Sequence, residues 1–220
     1  MFDVTLTFDN GPDPDATPQV LRTLARRDVA ATFFVLGRKL AEPAGQALAQ
    51  RAAAEGHWIA NHTYSHETPL GRLGEAGRGV DEIERTQALI GDLAHPDKLF
   101  RPFGGGGAIG RHLLSPEALS CLKAGGFTCV LWNVIPRDWE DADGWPTRAR
   151  ELMRPLPWSL VVLHDLPGGA MAHLDRFIET VREAGGRFRQ DYPPDCMPLV
   201  RGEEVLPMAP YVALAADAAD

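Results

Sequence analysis

Two histidines four residues apart, His62 and His66, have the spacing of a metal-binding pair. At this distance both imidazoles can face the same point from one helical turn or a tight loop. The pair alone is a weak indication, because two partly solvated loop histidines often have this spacing by chance. An oxygen donor and an acid–base pair elsewhere in the chain favour the metal-site interpretation.

Other polar residues follow predicted strands. Asp9 and Asn10 come after the first strand, and Arg101 ends a short strand further along. Asp138 and His164 follow two apolar runs in the second half of the chain. In parallel β/α folds, ligand sites lie at the carboxyl ends of the strands. This order of residues predicts that one pocket holds these side chains together with the histidine pair.

The residue types in this set match the needs of amide hydrolysis. A divalent metal polarises the carbonyl group and lowers the pKa of a bound water toward about 7. A carboxylate such as Asp9 can accept a proton from the water, and an imidazole such as His164 can return one to the departing amine. A cation such as Arg101 beside Asp9 would keep the base ionised.

Short β-rich runs and helical segments alternate along the chain. The predicted strands are Val4–Phe8, Ala31–Leu36, Trp58–Ala60, Leu99–Arg101, Phe127–Trp132 and Leu160–Leu163. Thr17 is the expected N-cap of the first helix, which ends near Arg27. Further helices are predicted over Pro43–Glu55, Glu75–Ile90, Pro116–Gly125 and Ala170–Glu183. The alternation predicts an α/β fold with a parallel sheet and right-handed crossovers.

Periodicity leaves two architectures open, a closed or distorted barrel and an open doubly wound sheet. The first strand is not followed by G-x-G-x-x-G, which argues against dinucleotide binding. The run Gly104–Gly107 has no helix pattern after it and no Lys-Ser/Thr, so it is interpreted as a mobile or tight loop and not as a phosphate cradle.

Composition narrows the class of protein. The 220 residues, 45% of them hydrophobic, predict a single domain over 1–220. A net charge of −8 argues against a nucleic-acid partner. No apolar run approaches the roughly 18 residues needed to span a bilayer, and Met1 leads directly into a strand, which predicts a cytoplasmic protein without a membrane partner. Three cysteines without Cys-x-x-Cys spacing do not suggest a disulfide framework.

Five motifs resemble those of one family, in the family's order. Thr7–Pro12 (TFDNGP) resembles T-F-D-D-G-P, and His62–His66 resembles H-[ST]-x-x-H. Phe100–Gly104 (FRPFG) resembles R-x-P-[YF]-G shortened by one residue. Asp138-Trp139 resembles the end of D-x-x-D-W, and Val162–Asp165 (VLHD) contains L-x-H. Over residues 7 to 165 the chain resembles the polysaccharide deacetylases, the NodB-homology group of carbohydrate esterase family 4.

The resemblance implies a distorted (β/α)7-type barrel and a hydrolase of carbohydrate metabolism that uses a divalent metal, with zinc the expected ion. His62 and His66 would be metal ligands, and Asn10 stands at the position of the family's metal-binding carboxylate. Asp9 would be the general base and His164 the general acid.

The resemblance also implies supporting roles for other residues. Arg101 would orient the base, and Asp138 would hold and tune His164. The substrate and oxyanion pocket would include the backbone near Phe103 together with Trp139 and Val162. Trp139 and Trp145 lie in the loop after the Phe127–Trp132 strand, where either could serve as a platform for a sugar ring.

Three departures from the family pattern concern the metal and the acyl pocket. Asn10 replaces an aspartate, so a negative charge is lost at the metal and weaker binding is expected. Neutral ligand sets, such as three histidines around zinc, still acidify bound water, so this change does not by itself imply an inactive site. Ile135 replaces the first aspartate of D-x-x-D-W, and the shortened third motif is expected to reshape the acyl pocket.

The sequence therefore predicts a metal-dependent hydrolase that removes an acyl group, expected to be acetyl, from an N-acyl sugar or another small N-acyl compound. Its partner would be a small-molecule or oligosaccharide substrate, and without a signal peptide a cell-wall substrate is not expected. One alternative is a non-catalytic carbohydrate or metabolite binder with a weakened metal site, which Asn10 favours. Another is a hydrolase of C–N bonds in ureide-like substrates. The oligomeric state is not predicted.

Overall fold

The computed structural model describes residues 1–214 and contains one twisted sheet surrounded by helices. The strands are β1 (Phe2–Asp9), β2 (Thr32–Val35), β3 (Trp58–Asn61), β4 (Leu99–Phe100), β5 (Thr128–Cys129), β6 (Trp158–His164), β7 (Gly186–Arg189), β8 (Leu199–Val200) and β9 (Glu203–Glu204). The helices are α1 (Thr17–Arg27), α2 (Gly37–Leu40), α3 (Pro43–Ala54), α4 (Arg78–Ile90), α5 (Pro116–Ala124), α6 (Trp145–Met153) and α7 (Leu174–Glu183).

The sheet runs in the order β6-β1-β2-β3-β4-β5-β8-β9, and β7 pairs with the start of β1. Strands β1 to β7 pair in parallel, whereas β8 and β9 are antiparallel. The connections between the parallel strands contain helices, as such crossovers require. The expected α/β fold with a distorted barrel is confirmed, and the open doubly wound sheet is not what forms.

Strand β1 lies between β6 and β2 in the barrel wall and separates an apolar face from a polar one. Its apolar side chains pack into the core formed with α1 and α7, and they are Val4, Leu6 and Phe8. The alternate side chains are buried and polar, and they are Thr5, Thr7 and Asp9. Because successive strand residues point to opposite faces, the polar set projects into the barrel interior. The barrel interior therefore contains polar side chains that can bind a buried polar partner.

A seam closes the barrel between β5 and β6, where regular strand pairing is interrupted. The Val134 N–H donates to the Leu160 carbonyl at 3.1 Å, and the Val134 carbonyl accepts from the Val162 N–H at 3.0 Å. The side-chain amide of Asn133 donates to the Trp158 carbonyl at 3.0 Å and accepts from the Leu160 N–H at 2.7 Å. The side chain of Asn133 and the backbone of Val134 thus join the two edges of the sheet.

Several predicted boundaries differ from the structure. The predicted strand Phe127–Trp132 is reduced to β5, because the Leu131 N–H turns away to the Cys196 carbonyl. The predicted helix Glu75–Ile90 begins only at Arg78, after Gly77 adopts a positive φ of 79°. The predicted helix Ala170–Glu183 consists of a 3-10 turn, Ala170–His173, followed by α7.

The first turns of α5 and α1 differ in how they are capped. The Ser115 hydroxyl accepts a hydrogen bond from the Ala118 N–H at 3.1 Å and caps α5. Thr17 is the first residue of α1 and not its N-cap, which is Ala16. The Thr17 hydroxyl instead donates to the buried carboxyl group of Asp165. The predicted cap was therefore wrong because the side chain has a tertiary partner.

Trp145 does not form a platform for a sugar. It is the first residue of α6, its side chain is fully buried, and its indole N–H donates to the Ala170 carbonyl at 2.8 Å. Its ring also packs against Phe177 with centroids 4.9 Å apart.

Within residues 1–214, none of the helices combines the length and apolar character needed to cross a bilayer.

Candidate active site

Asp9 and Arg101 form a buried ion pair inside the barrel. Asp9 is the last residue of β1, and Arg101 follows β4 directly. Arg101 Nη1 donates to Asp9 Oδ1 at 2.7 Å and to the Thr7 hydroxyl at 2.8 Å. The other guanidinium nitrogens donate to the Val130 and Leu131 carbonyls, each at 3.2 Å. A fully buried cation with its donors satisfied fixes one oxygen of the Asp9 carboxylate.

His62 follows β3 and its ring is oriented by the backbone of Arg101. Its Nδ1 lies 2.8 Å from the Arg101 carbonyl oxygen, which can only accept, so Nδ1 carries the proton. Its Nε2 is left as the unprotonated nitrogen and lies 3.6 Å from Asp9 Oδ2. Burial is the main cause that lowers the pKa of His62 to about 3. The ring is thus a neutral imidazole with a free lone pair beside the carboxylate.

His66 lies next to His62 and completes the pair. The ring centroids are 4.8 Å apart, and the His66 ring also packs on Phe103 at 3.7 Å. Burial, together with the neighbouring His62, lowers the pKa of His66 to about 2. Because metal ions bind neutral imidazoles, both side chains have the protonation state that a ligand requires.

Asn10 places an amide group at the same cavity. Its backbone is left-handed, with a φ of 72°, and Asn is among the residues that tolerate this region. Nothing within residues 1–214 forms a hydrogen bond with its buried Oδ1. An orphaned buried oxygen beside two neutral imidazoles fits a cation. The available ligand atoms are the ring nitrogens of His62 and His66 and the neutral amide oxygen of Asn10. Within the described residues, no three His, Cys, Asp or Glu side chains group together as a metal site.

His164 and Asp138 form the second hydrogen-bonded pair of the site. Asp138 Oδ1 lies 2.8 Å from His164 Nδ1, and Asp138 Oδ2 accepts the His164 backbone N–H at 2.8 Å. Burial lowers the pKa of His164, but the hydrogen bond and charge of Asp138, with the charges of Asp9 and Asp165, outweigh burial and raise it overall. The arrangement orients the ring and favours a proton on it, as a general acid requires.

These residues border one half-open cavity of about 220 Å³. Each predicted pocket residue lies there, and these are Phe103, Trp139 and Val162. Trp139 is 44% exposed, and its ring meets His164 edge-on with centroids 4.8 Å apart. The structure thus brings the predicted side chains to one place, with Arg101 and Asp138 behind the lining residues Asp9 and His164.

Part of the apolar wall of the cavity was not predicted from the sequence. Trp132, the last residue of a predicted strand, lines the cavity, and its indole N–H donates to the Gly107 carbonyl at 3.0 Å. Ile135 packs against the same glycine, where an added Cβ would lie 2.6 Å from Ile135 Cδ1. The Gly104–Gly107 run is a turn that forms the neighbouring wall, as its interpretation as a tight loop indicated.

The sequence matches a known family over the segment that holds the first three motifs, which carry Asp9, the histidine pair and Arg101. Residues 2–130, more than half of the chain, match the family model described as polysaccharide deacetylase. The chain belongs to the polysaccharide deacetylase family. The resemblance to this family is thereby confirmed.

Relatives within the polysaccharide deacetylase family cover most of the chain. A peptidoglycan-N-acetylglucosamine deacetylase of Bacillus cereus is 32% identical over 191 residues, which is 84% of this chain and 66% of the relative. A chitooligosaccharide deacetylase of Sinorhizobium fredii is 35% identical over 175 residues, which is 78% of this chain and 76% of the relative. The chain spans just under two thirds of the Bacillus protein.

Solved structures of polysaccharide deacetylases have the same fold. A peptidoglycan N-acetylglucosamine deacetylase superposes with a TM-score of 0.73 at 30% identity, covering 88% of this chain and 87% of that one. A family 4 carbohydrate esterase from Streptomyces lividans, in complex with acetate, gives a TM-score of 0.71 at 27% identity, covering 94% and 98%. The barrel is therefore the polysaccharide deacetylase barrel.

One buried carboxyl group behind this cavity was not singled out from the sequence. Asp165 follows His164 and is fully buried, with Thr17 donating to its Oδ2. An added Cβ on Gly11 would lie 2.2 Å from that oxygen, so only glycine fits between Asn10 and Pro12. Burial raises the pKa of Asp165 to about 7. Asp165 thus packs the loop after β1 against the end of β6.

Proposed function

We propose that this chain is a metal-dependent deacetylase that hydrolyses the amide of an N-acetyl sugar, with an N-acetylglucosamine oligosaccharide as the substrate class. The observation that carries the proposal is the pairing of Asp9 with Arg101 and of His164 with Asp138 around one cavity. Relatives described as deacetylases of peptidoglycan and chitooligosaccharides support the substrate class. The acetate bound by the Streptomyces esterase agrees with acetyl as the acyl group.

In the proposed reaction, Asp9 and His164 divide the proton transfers. Asp9 accepts a proton from the attacking water through its carboxylate, which Arg101 holds in place by Oδ1. His164 then donates the proton on Nε2 to the departing amine, while Asp138 holds Nδ1. A positioned acid and base each contribute about 10²- to 10⁴-fold to the rate. Backbone groups near Phe103 are proposed to stabilise the oxyanion.

The cofactor in this proposal is a divalent ion held by His62, His66 and Asn10, with zinc as the expected metal. Such an ion would polarise the acyl carbonyl and acidify the attacking water. The neutral imidazoles and the orphaned Asn10 oxygen support this assignment. Trp139 and Val162 are proposed to border the acyl and sugar groups.

A deacetylation assay tests the proposal directly. Purified protein with one equivalent of zinc is incubated with N-acetylglucosamine dimers to pentamers, peptidoglycan fragments and small N-acyl compounds, and released acetate is measured. We expect acetate from at least one oligosaccharide, and about 10²- to 10⁴-fold slower release in the same assay with Asp9→Asn. Binding of an oligosaccharide without any acetate release would instead support a carbohydrate binder, the function that the neutral Asn10 favours. Release from small amides alone would exclude the oligosaccharide assignment.

A further inference from the structure

The loop that carries both histidines, residues 62–66, has an unfavourable backbone conformation. Thr63 and His66 have positive φ values of 67° and 56°, and neither is glycine. Residues held in this region persist only when surrounding structure imposes the conformation. The relative position of the two imidazoles therefore depends on groups outside the loop.

Glu82 on α4 supplies one such group. Its Oε2 accepts the backbone N–H groups of Tyr64 and Ser65, both at 2.8 Å. The residue is only 7% exposed, and no cation within residues 1–214 forms an ion pair with it. Hydrogen bonds to an ionised acceptor are shorter and stronger than neutral ones. A buried carboxylate therefore restrains the two peptide groups between the histidines.

The loop is also held from the opposite side by α2. The Gly37 N–H donates to the Thr63 carbonyl at 3.0 Å, and the Arg38 N–H donates to the Tyr64 carbonyl at 3.1 Å. An added Cβ on Gly37 would lie 2.4 Å from Thr86 Oγ1 and 2.5 Å from the Tyr64 ring. Helix α2 thus lies against both the loop and α4, and the loop is fixed between them.

A second contact joins the start of the loop to α4. The Asn61 side-chain oxygen accepts the Thr63 N–H at 3.0 Å, and its nitrogen donates to the Ile83 carbonyl at 2.9 Å. Consecutive residues of α4, Glu82 and Ile83, therefore hold the middle of the loop and the residue that precedes it. Of the two, Glu82 acts through its side chain and can be changed without altering the α4 backbone.

We propose that Glu82 is a positioning residue that sets the mutual geometry of His62 and His66. Loss of its carboxylate releases the Tyr64 and Ser65 peptide groups and lets the two rings move apart. The effect on metal affinity rests on the proposed function, whereas the restraint on the loop does not. Groups that orient metal ligands typically change affinity by about 10- to 100-fold when they are removed.

The test compares Glu82→Ala and Glu82→Gln with Glu84→Ala, an exposed position on the same helix. Zinc affinity is measured by competition with a chelator, and amide hydrogen exchange at Tyr64 and Ser65 is measured by NMR on the metal-free protein. We expect Glu82→Ala to bind zinc about 10- to 100-fold more weakly. Glu82→Gln, which keeps a carbonyl acceptor, should fall between it and wild type. Exchange at Tyr64 and Ser65 should rise in the Glu82 variants alone.

The two measurements separate this inference from the proposed function. If the wild type binds no zinc, the metal assignment fails, and the exchange experiment alone decides the role of Glu82. Unchanged exchange at Tyr64 and Ser65 overturns the inference, as does zinc affinity within twofold of a zinc-binding wild type. A general rise in exchange along α4 also overturns it, since that indicates a structural role only. Should Glu82→Ala not fold, Glu82→Gln decides by the same criteria.

Discussion

Asp9 and His164 occupy the same register position on the neighbouring parallel strands β1 and β6. In-register residues of adjacent parallel strands point to the same face of the sheet, and the strands lie about 4.8 Å apart. Asp9 and His164 are the last residues of their strands, so the carboxylate and the imidazole lie side by side at the cavity. Each has a separate buried partner, Arg101 for Asp9 and Asp138 for His164.

Replacing either member of the acid–base pair should lower turnover strongly. Asp9→Asn and His164→Ala should each reduce kcat by about 10²- to 10⁴-fold with a much smaller change in substrate affinity. The double variant should lose less than the product of the two, because groups that act as one unit are not additive. His173→Ala, at a histidine outside the cavity, is the control for steady-state kinetics. Turnover within a few-fold of wild type in both single variants would contradict the assignment.

Removing the carboxylate partner of His164 should shift the pH dependence of the rate. Asp138 is a principal cause of the raised pKa of His164, so Asp138→Asn should lower that pKa. A general acid must be protonated, and the rate falls as the pH rises through its pKa. The alkaline limb of the kcat/KM profile should therefore move to lower pH. The exposed Asp143–His173 pair offers a matched control, since Asp143→Asn should leave the profile in place.

Restoring a charge at position 10 should strengthen metal binding. Asn10→Asp keeps the side-chain size and a residue that tolerates positive φ, and adds a negative charge where an oxygen now lacks a partner. We expect zinc affinity to rise by about tenfold or more in chelator competition. Equal affinities for the two proteins would show that this side chain does not contact the metal.

In the glycine turn beside Ile135, alanine should be tolerated at position 106 and not at position 107. Gly106 and Gly107 have φ values of 87° and 85°, so alanine is strained to a similar degree at both. Only at position 107 does the added Cβ meet Ile135, whereas position 106 has open space. Gly107→Ala should lower kcat/KM by about 10- to 100-fold relative to Gly106→Ala. Equal kinetics for the two variants would exclude a role for this contact in shaping the pocket.

Asp165 should make the folded state less stable as the pH rises. Burial raises its pKa from 3.8 to about 7, so between these values the folded state holds a proton that the unfolded state has lost. The contribution is present at low pH and declines through this range, by at most about 1.4 kcal/mol per pH unit. Asp165→Asn should therefore gain stability relative to wild type from pH 4 to 7 in denaturant unfolding. A constant difference across that range would contradict the shift.

The site residues at strand ends could be predicted from the sequence, because residue types that bind metals or transfer protons stand at or directly after predicted strands. Asp9, His62 and His164 each end or follow a strand, and parallel strands bring such ends to one edge. The role of Glu82 left no comparable signal. Its partners are backbone N–H groups 17 and 18 residues away, and a glutamate in a helix is ordinarily a solvated residue.

Other differences arise where tertiary contacts override local pattern. Trp145 follows a loop that borders the site, but sequence does not tell which way a tryptophan faces, and its indole lies in the core. The Phe127–Trp132 run is apolar except for Thr128 because it is buried, although only two of its residues pair as a strand. Thr17 has the residue type of an N-cap, yet its hydroxyl bonds to Asp165 across the fold.

Asn133 imitates a peptide group at the seam, since its amide donates to one β6 backbone group and accepts from another. The adjoining segment, which carries Trp132 and Ile135, is thus joined to β6 by few backbone hydrogen bonds. Segments outside the hydrogen-bonded ladder of a sheet tolerate insertions better than strands do. Protein engineers could therefore lengthen or exchange this wall of the cavity while β1 and β6 remain intact, provided that Asn133 and Val134 are kept.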